Sequence, residues 1–116
     1  MHRYILSILL MLALSMGSAF SQKGKAEIDS LENLAASVGD SLRIGIYNEL
    51  SMLYRHFNPG KGMDYASKAI YLSEQLNNPE LLAKSYFTLA ISERNLDMDM
   101  KALEHFQKVL SIARDN

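Results

Sequence analysis

Cysteine is absent from the 116 residues, and there are only two prolines. The first absence excludes a disulfide framework, thiol catalysis, thiolate metal sites and lipid attachment through an N-terminal cysteine. The second leaves long stretches uninterrupted: Ser85 to Leu110 contains neither proline nor glycine. No charge of one sign dominates, with twelve Lys plus Arg against thirteen Asp plus Glu, so the balance implies neither a nucleic-acid nor an acidic-membrane partner. With 48% apolar residues the composition is that of one ordered globular domain.

Arrangements that carry chemistry are equally scarce. Beyond the first segment only His56 and His105 remain as histidines, without the spacing of a zinc-binding helix or further ligands beside them. Gly60-Lys61-Gly62 lacks the preceding glycine and the following Ser or Thr of a phosphate-binding loop, and reads as a turn. Ser73 has no histidine placed by sequence to activate it. Met52, Met63, Met98 and Met100 are scattered over several elements, as gap-filling side chains are. The expectation is a protein that is not an enzyme and uses no metal or cofactor. Glu80 with Lys84, and Glu104 with Lys108, stand four apart, the spacing of helix-surface ion pairs.

What is present begins with a leader. Arg3 is followed by an apolar run from Tyr4 to Met16 and then by the small residues Gly17, Ser18 and Ala19, with Ala19 and Ser21 flanking Phe20 before Gln22. That is the build of a secretory signal peptide over residues 1–21, cleaved before Gln22. A spanning helix needs about 20 apolar residues, and this run stops short at Gly17-Ser18. The expected location is therefore periplasmic or secreted, and the mature chain is not membrane-spanning.

The rest patterns as helices. Ile28, Leu31, Leu34, Ala35 and Val38 make an apolar stripe on a first, capping helix within 22–39, with Asp29, Glu32 and Asn33 opposite. Gly39 is expected to end it in the left-handed conformation, with Asp40 capping the next helix. A second helix covers about Ser41 to Phe57. In "NPGKG" and "NNPE", Asn58 and Asn78 are expected caps, with Pro59 and Pro79 at the first helical positions. A third helix follows Pro59. A fourth spans roughly Pro79 to Asn95 and a fifth Met100 to Arg114, with Asp97 and Asp99 as alternative caps between them. No segment alternates apolar and polar residues at length, so the expected fold is all-α with short connections and antiparallel neighbours.

Two halves of this pattern match each other. "YNELSMLY" (Tyr47 to Tyr54) aligns with "YFTLAISE" (Tyr86 to Glu93) at a step of 39, and "GMDYASKAIYL" (Gly62 to Leu72) aligns with "ALEHFQKVLSI" (Ala102 to Ile112) at a step of 40. Self-similarity at such a step is a repeat signature. Tyr86, Leu89, Ala90, Ala102 and Phe106, with Tyr47, Leu50, Ser51, Tyr54, Gly62 and Ala69, resemble the tetratricopeptide repeat. The longer step is similar to the form found in bacterial signalling proteins. Glu93, Ala66 and Val109 depart from the pattern.

The resemblance implies antiparallel helical hairpins stacked as a short solenoid, with repeats over about 40–78 and 79–116. Leu89 and Ala102 are then buried contacts within a hairpin. The family's groove-facing positions fall on Asn48, Met52, Arg55, Lys84, Phe87, Ile91 and Arg94. Two arginines one repeat apart, flanking apolar contacts, suit an extended protein segment with acidic groups. The expected function is an exported protein–protein interaction module. The alternative is the N-terminal input region of a longer membrane signalling protein of the sensor kinase or cyclase type. Leu103, Phe106, Val109, Leu110 and Ala113 give the fifth helix more apolar residues than one seam needs, so either self-association through it or a continuation of the array is expected.

Overall fold

The structure is a computed structural model that describes the backbone of residues 2–116 and the side chains of residues 3–11 and 24–116. Among the described residues the chain is all-α: α1 (His2–Ala35), α2 (Asp40–Tyr54), α3 (Pro59–Gln75), α4 (Pro79–Asn95) and α5 (Asp99–Asp115). It falls into two compact units, Met1–Ser30 and Leu31–Asn116. In the first, Tyr4, Ile5, Leu6, Ile8, Leu9, Leu10 and Met11 are exposed. The expected cleavage position before Gln22 lies outside the residues whose side chains are described. Among the described residues no helix is long and apolar enough to cross a membrane.

The second unit is two helical hairpins, α2–α3 and α4–α5, packed so that α4 touches both α3 and α2. The turns between helices explain why they begin where they do. The Asn58 side chain accepts from Lys61 N, and that of Asn78 from Leu81 N, each with a proline at the start of the helix. These caps satisfy amides that the helix itself leaves unpaired. The other two starts depart from expectation. Gly39 is extended (φ −73°, ψ 167°) and is itself the N-cap of α2; Asp40 lies inside the first turn and caps nothing. The end of α1 is held by a side chain instead, since Arg43 donates through Nε to Ala35 O, the last carbonyl of α1, and through Nη2 to Val38 O in the connection, both at 2.8 Å. Before α5 the N-cap is Met98, with no side-chain bond, while Asp97 takes a left-handed conformation (φ 59°) in the turn.

Ile44, Leu50, Ala66, Ala69 and Ala90 are fully buried, and Leu89 and Ala102 are buried as the repeat register requires. Small residues on α3 let its axis approach both neighbours, as helix packing at close distance requires. The first stripe is only partly right: Ala35 is buried, but Leu34 is 47% exposed. Glu32, expected on the outer face, accepts a hydrogen bond from the Tyr54 hydroxyl at 2.9 Å. Phe57 lies beyond the end of α2 and is exposed.

Candidate functional site

The two hairpins share a set of ring contacts at corresponding positions. In the first, the Tyr47 and Tyr65 rings lie 5.6 Å apart, and Lys68 Nζ stands 5.8 Å from the Tyr47 ring. The same sites in the second hold Tyr86 and His105, also 5.6 Å apart, with Lys108 Nζ 6.0 Å from the Tyr86 ring. Tyr54 stacks on Tyr65 at 5.9 Å in the first hairpin; the corresponding contact in the second is Glu93 to His105, with Oε1 and Nδ1 2.6 Å apart. A stacked aromatic pair thus becomes a hydrogen-bonded one. Lys108 faces this ring and Glu104 does not close an ion pair with it; Glu80 and Lys84 are likewise not paired among the described residues.

Burial perturbs the tyrosines. Tyr65 is pushed well above the ordinary phenol range, first by desolvation and then by the adjoining Glu32 carboxylate. Desolvation also raises Tyr54, with Lys61 opposing and Glu32 reinforcing, and raises Tyr86, with Glu74 adding to it. For an acid whose pKa is raised on folding, the unfolded chain loses its proton first. Stability is therefore complete below about pH 10 and falls as pH rises through the raised values. An alkaline titration followed by ultraviolet absorbance and circular dichroism should show some of the six tyrosines ionising early and the rest only together with loss of helix. Smooth ionisation of all six while the helical signal persists would refute this burial.

The seven positions expected to line a groove separate into three groups. Asn48 is a correction: it is 2% exposed, so it is closed to any ligand. Its amide donates to Ser85 Oγ at 3.1 Å and accepts from Thr88 Oγ1 at 2.9 Å, tying α2 to α4. Met52, Arg55 and Ile91 are half-buried, whereas Lys84, Phe87 and Arg94 are exposed. Phe87 also meets Phe106 of α5 edge to face, ring centroids 5.7 Å apart. One bond brings the two arginine positions together, because Asn95 Nδ2, next to Arg94, donates to Arg55 O at 2.7 Å. The Arg55 guanidinium itself donates to His56 Nε2 at 2.9 Å.

Sequence reading missed a buried polar seam of which Asn48 is part. Ser51 Oγ donates to Gly62 O at 2.7 Å and lies 3.5 Å from Ser92 Oγ, while Ser73 Oγ lies 3.4 Å from Ser85 Oγ. No buried side-chain nitrogen or oxygen among the described residues lacks a partner. The signal was the spacing of Ser85, Thr88 and Ser92, one face of α4 at helical steps. Also missed was a shallow cavity of about 400 Å³ lined by Arg43, Tyr47, Ser67, Lys68, Tyr71 and Leu72. Its Arg43 is already engaged with the end of α1, which leaves Lys68 as the cation that lies over Tyr47 and Tyr65. Among the described residues no group of three or more His, Asp or Glu is placed to hold a metal ion.

No protein-family model matches the chain, and no curated protein or solved structure is significantly similar to it.

Proposed function

We propose that the chain is an exported, non-enzymatic interaction module of the tetratricopeptide-repeat type, which holds an extended protein segment carrying acidic and apolar side chains. The observation that carries this reading is the Asn95 to Arg55 bond, which sets the last turns of α2 and α4 side by side. Arg55, the residue that closes α2, and Arg94, in the last turn of α4, hold the same place in consecutive hairpins, with Met52 and Ile91 one turn behind them. A guanidinium is suited to planar carboxylates, and half-buried Met and Ile supply apolar contact without a fixed shape. The internal sequence match at steps of 39 and 40, with ring contacts that recur at Tyr47–Tyr65 and Tyr86–His105, supports the repeat reading. Arg3 followed by the apolar run from Tyr4 to Met16 is the sequence pattern behind the export reading.

Fluorescence anisotropy with labelled peptides tests the module. An acidic peptide interspersed with Leu and Phe should bind, and a lysine-rich peptide of the same apolar content should not. Arg55→Glu together with Arg94→Glu should weaken binding at least about tenfold, and moderate salt should weaken the parent, since exposed charges are screened over about 8–10 Å. Equal binding of both peptides, or an unaffected double variant, would move the site elsewhere.

A further inference from the structure

The second helix of each hairpin has two sides to cover. On α3 the row Gly62, Ala66, Ala69 and Ser73 is buried throughout. Gly62 and Ser73 of that row lie against Ser92 and Ser85 of α4. The row 40 residues on, along α5, is Ala102, Phe106, Val109 and Ala113, of which Ala102 alone is buried. Beside it, Leu103 is 51% and Leu110 70% exposed, and Met100 is 79% exposed. At 3.6 residues per turn, Met100, Leu103, Phe106, Gln107 and Leu110 share one sector roughly 120° wide. Lys101, Glu104 and Lys108 stand to one side of it, and Ala102, His105 and Val109 on the side of α4. So α5 carries a second apolar face, beside the row that corresponds to the buried row of α3.

We propose that a second copy of this chain covers that face, the two α5 helices crossing antiparallel about a two-fold axis. Three observations select a second copy in this arrangement. Met100, Leu103, Gln107, Leu110 and Arg114 recur at alternating steps of three and four, the seam of a helix that pairs with a helix. An antiparallel pair brings Asp99 of the first turn toward Arg114 of the other copy's last turn, where Arg114 also stands 3.6 Å from its neighbour Asp115, and sets the two helix dipoles antiparallel. Head-to-tail stacking on α2 is closed off, because residues 31–38 already occupy that end through Arg43 to Ala35 and Val38 and through Tyr54 to Glu32. Self-complementary pairing of one face remains. Met100, Leu103, Leu110 and Phe87 together expose roughly 400–500 Å² per copy, so with their polar flanks the pair reaches about the 1,200 Å² of a small specific interface. This goes beyond the peptide-binding reading and does not use Arg55 or Arg94.

Sedimentation of the chain purified after expression of all 116 residues should give a reversible monomer–dimer equilibrium. Leu103→Glu and Leu110→Glu should each raise the dissociation constant at least about tenfold while melting near the parental temperature. Leu42→Glu, equally exposed but on α2, should leave it unchanged. Because the chain has no cysteine, Gln107→Cys gives a clean probe: a short bis-maleimide should link two copies of that variant. A monomer at every concentration, a dimer indifferent to both α5 substitutions, or mass growing past the dimer would each overturn the proposal.

Discussion

Replacing Gly62 by valine should leave the chain without a cooperative thermal transition. Gly62 stands in the first turn of α3 where α2, α3 and α4 come closest. A Cβ built there would sit 2.8 Å from Ser92 Oγ and 3.0 Å from the Ser51 carbonyl oxygen. The serine hydroxyl can turn away, but the carbonyl belongs to the α2 backbone and moves only if the hairpin opens. Ser51 Oγ also donates to Gly62 O at 2.7 Å, so the same displacement breaks a buried hydrogen bond. Alanine should cost about 1–2 kcal/mol, as overpacking of about 1–3 is partly offset by its better helix propensity. Valine adds two further carbons in the same direction, on the order of 3 kcal/mol beyond alanine, so its total of about 4–5 kcal/mol matches the roughly 5 kcal/mol of stability at the low end for a domain of this size. Gly60 is the control: its Cβ would meet only Asn58 Oδ1, at 3.7 Å, so Gly60→Ala should be neutral or slightly stabilising. Circular dichroism melts of the three variants decide the matter, and a Gly62→Val melt close to that of Gly60→Ala would refute this packing. The corresponding position in the second hairpin, Ala102, carries a Cβ while remaining 3% exposed, because only α4 packs on α5 among the described helices.

Features set by neighbouring residues were legible in the sequence, and those set by distant pairs were not. Asn58-Pro59 and Asn78-Pro79 read correctly because a cap and the amide it satisfies lie within three residues. Leu89 and Ala102 read correctly because the internal match fixes their register. Asn48 read as groove-facing because the resemblance to the repeat family puts that position on the concave face. It is buried only because Ser85 and Thr88, on a helix 37 and 40 residues away, supply the partners that make burial tolerable. The end of α1 misled for a related reason. Glycine before aspartate suggests a left-handed stop, yet Arg43 reaches back eight residues to Ala35 and removes the need for one. Glu93 stood out in the sequence as a departure from an aromatic position, but its partner could be identified only once α4 and α5 were placed together.

That partner gives the second large effect. Glu93 is 1% exposed, and the polar contact of its carboxylate is His105 Nδ1 at 2.6 Å, beside the Tyr86 ring. The two ends of this bond are unequal, since the His105 side chain is 24% exposed and that of Glu93 only 2%. Deleting the imidazole with His105→Ala strands a buried carboxylate, a loss of about 3 kcal/mol. The lower end of the usual range applies because the vacated edge admits some water. Deleting the carboxylate with Glu93→Leu fills the same volume with apolar atoms and leaves an imidazole that can turn to solvent, so it should cost about 1 kcal/mol or less. Adding Glu93→Leu to His105→Ala should then restore stability, a coupling of about 1–3 kcal/mol between residues in direct contact. Urea unfolding of the two single variants and the double variant closes the cycle. Additive losses, or a Glu93→Leu variant as damaged as His105→Ala, would show that Glu93 has another buried partner and that the first hairpin's stacked Tyr54–Tyr65 contact has no ionic counterpart in the second.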